Sequence, residues 1–75
     1  MKERQKNQEL QEYIREAYQA KREWEAAQNF FNNVVDPDLV DYAIYDLETT
    51  KRKYMYLIKK VRGKVLLSDE GLNRR

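Results

Sequence analysis

A single proline, Pro37, follows an aspartate and divides this 75-residue chain near its midpoint. Proline lacks an amide hydrogen and has a fixed φ, so it fits the first turn of a helix and breaks a helix interior. Asp36 is a good N-cap for a helix that begins at Pro37, and Asp38 adds negative charge at that helix's positive end. Whatever precedes this pair must therefore stop near residue 35, and a second helix must start at once.

Apolar residues on both sides of the turn keep the same period. Before it, Leu10, Ala17, Trp24 and Phe31 are spaced seven apart, with Tyr13, Ala20, Ala27 and Val34 as a second row. After it, Val40, Leu47, Tyr54 and Val61 repeat at seven, with Ala43, Thr50 and Leu57 beside them. These are the a and d rows of a heptad pattern, embedded in Glu, Gln, Lys and Arg, which favour helix. A short connection makes the two helices antiparallel neighbours. The expected fold is all-α, a coiled-coil-like antiparallel two-helix hairpin in one domain spanning residues 1–75. Its helices are expected at about 8–34 and 37–62, joined by a turn at 35–37 and followed by a tail at 63–75. Gly63 is the natural C-cap, with Lys59, Lys60 and Arg62 in the last turn; continuation through it would cost about 1 kcal/mol. The antiparallel match places Leu10 opposite Val61, Ala17 opposite Tyr54, Trp24 opposite Leu47 and Phe31 opposite Val40. Trp24, Phe31, Leu47, Tyr54 and Leu57 are the expected anchors of this seam.

Several chemistries lack their residues. The chain has no cysteine and no histidine, which removes disulfides, thiolate metal sites and the commonest general base. No nucleophile–base pair and no phosphate-cradling glycine loop is present. The acids of Asp36–Asp41 lack the later glycine and glutamate of an EF-hand loop. No enzyme activity, catalytic residue, metal or cofactor is expected. No apolar run suffices to span a membrane, and Met1–Lys6 lacks a signal peptide's apolar core, so a cytoplasmic protein is expected.

A chain this short needs a staple, and without cysteine or metal ligands oligomerisation remains. The hairpin uses only its a and d rows, yet Ile14, Ile44, Met55, Tyr56, Ile58 and Val65 are apolar as well. These six are the candidate protein interface. A homodimer forming a four-helix bundle would cover them, and so would a different protein partner. The charges are also sorted. Residues 23–50 hold seven acids and no base; 15 basic and six acidic residues fall outside, a net charge of +9. Part of this sorting suits helix dipoles. The alternative is a polyanion contact, such as nucleic acid, through Lys51, Arg52, Lys53, Lys59, Lys60 and Arg62.

The run Asp46–Arg62, with its Lys53-Tyr54 pair, its Tyr56-Leu57 pair and its terminal basic residues, resembles the second half of the YaaL-like proteins. Lys21-Arg22-Glu23-Trp24 and the Asp36-Pro37 turn are similar to features of the same family, so the resemblance covers about residues 10–65. It implies a small bacterial cytoplasmic protein of unknown function, without an established activity or cofactor. Because family members tend to be encoded near a recombination mediator, it also implies a link to DNA recombination or repair. It supplies no catalytic residues. The function expected is therefore that of a small homodimeric adaptor or regulator, with a nucleic-acid accessory role as the alternative.

Overall fold

A computed structural model describes the backbone of residues 2–73 and the side chains of residues 8–66. Among the described residues the chain forms two helices, α1 at Lys2–Asn33 and α2 at Pro37–Asn73, and they pack side by side as a hairpin. The molecule measures 58 × 22 × 13 Å, with a radius of gyration of 17.1 Å. A globular chain of this length would have a radius near 11 Å, so this is one layer of helix with no second layer.

The turn follows the chemistry of its residues. Asp38 N–H donates to Asp36 Oδ1 over 2.9 Å, which makes Asp36 the N-cap, and Leu39 N–H donates to the Asp36 carbonyl over 2.9 Å. At the end of α1, Asn33 Nδ2 folds back one turn and donates to the Asn29 carbonyl over 2.7 Å.

Both helices run farther than their apolar periodicity. α1 begins at Lys2 rather than near residue 8, because Lys, Glu, Arg and Gln propagate a helix without needing burial. α2 continues through Gly63 to Asn73, so residues 63–73 are helix rather than tail. Gly63 has ordinary negative φ and open space where a Cβ would stand. Its cost of about 1 kcal/mol is small beside a helix already propagating. Lys59, Lys60 and Arg62 consequently lie inside α2 and not in its last turn. Leu72 and Asn73, expected in the tail, belong to that helix, while Arg74 and Arg75 lie outside the described residues.

The core is small. Its buried side chains are Ala17, Ala20, Ala27, Ala43 and Leu57. Ala17, Ala20 and Leu57 form one cluster, with Tyr13, Tyr54 and Ile58 packed against it. Small residues on α1 thus face large ones on α2, as dense packing between two close helices requires. Among the expected anchors, Leu57 is buried, Trp24, Leu47 and Tyr54 are half-buried, and Phe31 is exposed. Phe30 is half-buried instead, edge-on to Tyr42 with ring centroids 6.0 Å apart. Thr50 sits part-buried in the seam and places its hydroxyl on the Asp46 carbonyl at 2.8 Å, so the polar residue in the d row is satisfied locally.

Trp24 packs on Tyr54, with ring centroids 5.6 Å apart, a contact that the predicted pairing of Trp24 with Leu47 did not include. Helical side chains lean toward the N-terminus of their own helix. Trp24 therefore leans toward the open end of the hairpin and Tyr54 toward the turn, and the two rings meet between their Cα levels. Among the described residues, two ion pairs also cross the seam, Glu23 with Lys53 at 3.2 Å and Glu9 with Lys64, the first displaced in the same sense as the two rings and the second close to the predicted register.

Candidate functional site

The alanine seam has two flanks, and they differ in chemistry. On one flank, Ile14, Ala17, Tyr18 and Lys21 of α1 and Tyr54, Ile58 and Val61 of α2 line an open groove of about 320 Å³. On the other, the lining is Glu23, Ala26, Ala27, Phe30, Tyr42, Asp46 and Thr50. The first carries the branched aliphatics Ile14, Ile58 and Val61 with one cation, Lys21, and is the aliphatic, apolar flank; the second joins Ala26, Ala27, Phe30 and Tyr42 to the acids Glu23 and Asp46.

Helical spacing assigns the remaining candidates. At about 100° per residue, Ile44, Met55 and Val65 project within about 60° of Ile58, so they extend the apolar flank along α2. Ile44 is 41 %, Met55 49 % and Val65 41 % exposed, so the hairpin itself does not cover them. Tyr56 does not belong with this group. It projects about 160° from Ile58, on the opposite side of α2, where the Lys60 ammonium lies 5.4 Å from its ring centroid. Apolar character alone grouped Tyr56 with the others, and the helical period separates it. The structure therefore brings Ile14, Ile44, Met55, Ile58 and Val65 to one face. Tyr18, Lys21 and Val61 join them, and the first two were legible from their positions four and seven residues after Ile14.

The six basic candidates do not share a face. Lys51 and Arg62 project within about 40° of Ile58, and thus on the apolar flank. Lys53 and Lys60 lie across the helix, and Arg52 and Lys59 point outward between these directions. Lys53 is held by Glu23. Among the described residues, no ion pair engages Lys51, Arg52, Lys59, Lys60 or Arg62.

Lys64 is the best-held of the basic side chains. It donates to Glu9 Oε1 and lies 5.9 Å from the Tyr13 ring centroid. The hydrogen bond from Lys64, and then its charge, holds the Glu9 carboxyl below the ordinary carboxylate range. The same hydrogen bond holds the Lys64 ammonium above the ordinary lysine range, against a smaller opposing effect of desolvation. This pair fastens the open end of the hairpin across the seam.

No group of three metal-ligating side chains occurs among the described residues, and no helix is long and apolar enough to cross a membrane. What the geometry presents is an elongated helical hairpin with apolar side chains on both flanks, aliphatic beside Lys21 on one and aromatic beside Glu23 and Asp46 on the other. The chain belongs to DUF2508, a family of proteins of unknown function, whose model matches residues 1–66. No curated protein and no solved structure matches the chain.

Proposed function

We propose that this protein is a non-enzymatic adaptor or regulator that acts through protein–protein association, with a homodimeric four-helix bundle as its working form. The observation that carries this reading is the disproportion between the core and the apolar flank. Among the described residues, four of the five buried side chains are alanines, while Ile44, Met55 and Val65 are left about half exposed on the flank that carries the open groove. An apolar stripe wider than the seam needs a second layer, and one hairpin cannot supply it. The likeness to YaaL-like proteins supports a bacterial cytoplasmic setting.

Light scattering over a concentration series tests the reading. The expected mass is twice the 9.2 kDa of the chain, unchanged at high salt because apolar burial drives the association. Ile58→Glu should yield monomers, and so should Met55→Glu, whose side chain lies outside the intramolecular core cluster. Helix content and Trp24 fluorescence should stay unchanged in Met55→Glu, which separates loss of association from the core damage that Ile58→Glu can add. A wild-type monomer at every concentration would remove the homodimer.

The cations Lys51, Arg52, Lys59, Lys60 and Arg62, which no ion pair engages among the described residues, favour a second reading, contact with a polyanion such as nucleic acid during recombination or repair. Binding of that kind would weaken steeply with salt, and reversing Lys59 and Lys60 to glutamate would abolish it while the fold persists. Salt-insensitive binding, or none, would exclude it.

A further inference from the structure

The apolar flank carries charges at spacings that specify how a second copy would lie on it. Along α2, Ile44, Glu48, Lys51, Met55, Ile58, Arg62 and Val65 follow one another at alternating steps of four and three residues, so they form one continuous stripe. Glu48, Lys51 and Arg62 are exposed, as are Ile44, Met55 and Val65. Met55 is the centre of the stripe. Glu48 lies seven residues before it and Arg62 seven after; Ile44 lies eleven before and Val65 ten after.

We propose that two copies of the chain associate antiparallel through this stripe, with the twofold axis at Met55 and Glu48 of each protomer paired with Arg62 of the other. The inference rests on the self-association proposed above and adds its orientation. Residues equidistant from a twofold axis face one another when the helices are antiparallel. Met55 then meets its own copy, Ile44 meets Val65, and Lys51 lies beside Ile58, where its stem packs and its ammonium reaches water. A parallel arrangement would instead stack Glu48 on Glu48, Lys51 on Lys51 and Arg62 on Arg62, three like-charge layers beside an apolar contact. Like charges in register discriminate strongly against such a pairing.

The whole-molecule charge distribution points the same way. Residues 23–50, at the turn end, hold seven acids and no base, whereas residues 51–64 hold seven bases and no acid. Antiparallel copies bring the acidic end of one against the basic end of the other. At physiological salt, charges act over only ~8 Å, so the pair near the contact sets the orientation and the distant charges add little. α1 is compatible with the same axis. Tyr18, 67 % exposed, projects on the same flank and lines the groove beside Met55's helix.

Cysteine crosslinking of the full chain tests the orientation cleanly, because the natural sequence contains no cysteine. Met55→Cys should form an interprotomer disulfide under mild oxidation. Ile44→Cys and Val65→Cys should each resist crosslinking alone and crosslink to each other when mixed. As an independent readout, Glu48→Arg should raise the dimer dissociation constant about tenfold, and adding Arg62→Glu should restore it, since the swapped pair is again opposite in sign. Self-crosslinking of Ile44→Cys, absence of the mixed crosslink, or a double variant no better than Glu48→Arg would overturn the antiparallel arrangement while leaving self-association standing. A wild-type chain that stays monomeric would overturn both.

Discussion

The two ends of the hairpin are held by different physics. At the turn end, the contacts are local in sequence: Asp36 caps α2, Asn33 closes the last turn of α1, and Phe30 and Tyr42 meet edge-on twelve residues apart. Packing there is thin, with Ala27 and Ala43 as the buried side chains. Toward the open end, the contacts join residues far apart in sequence. Leu57 is buried on Ala17 and Ala20, Lys53 reaches Glu23, and Lys64 reaches Glu9. The comparison shows a division of labour. Hydrogen bonds at the turn set where the chain reverses, and side-chain packing beyond it keeps the two long helices together.

The strongest way to break this comparison is to empty the open-half core. Leu57→Ala should cost ~2–5 kcal/mol, because it removes the large side chain from a cluster otherwise built on alanine. A small single-core domain has little more than that in total. Thermal denaturation by circular dichroism should show a large loss. Amide exchange should rise first around Ala17, Ala20 and Leu57, while amides beside Asp36 keep their protection. Uniform loss of protection would mean that the two ends are one cooperative unit.

A smaller effect is expected at the turn. Asp36→Ala removes the N-cap acceptor of Asp38 N–H and should cost ~1 kcal/mol. Pro37 would still start α2, so the hairpin should keep its fold and lose only a few degrees of melting temperature. Equal losses for Asp36→Ala and Leu57→Ala would contradict the division of labour.

The smallest effect sharpens the account of the open end. The lowered Glu9 pKa means that its contribution is present above the unfolded-state value and is lost as pH falls through the folded value. The raised Lys64 pKa means that its contribution is present below the unfolded-state value and is lost as pH rises through the folded value. The pair's contribution should therefore be flat across neutral pH and decline only in acid and in strong alkali. Titration of the Glu9 carboxyl by NMR should show a depressed pKa, and Lys64→Met should return it to the ordinary range. A Glu9 titration unaffected by Lys64→Met would show that the pair does not persist in solution.

Much of this protein was determined by its sequence alone. Pro37 and Asp36 place the turn because proline's missing amide and aspartate's short carboxylate suit only a helix start. The heptad rows identify two helices and their antiparallel pairing, and the alanines of α1 opposite Leu57 and Tyr54 are readable as small against large. The second-face residues Ile14, Ile44, Met55, Ile58 and Val65 follow from the same period. Tertiary structure decided the rest. Gly63 carries the marks of a helix end, yet α2 runs through it, since one unfavourable residue does not stop a helix already propagating. Trp24 meets Tyr54 because side chains lean along their helices, and register counted on Cα positions misses that tilt. Phe30 and Phe31 are neighbours with the same chemistry, and only the packed hairpin shows that Phe30 is the one against Tyr42. The partners of Lys53 and Lys64 were equally unreadable, because long charged side chains choose among several acids at nearly equal energy until the backbone brings one within reach.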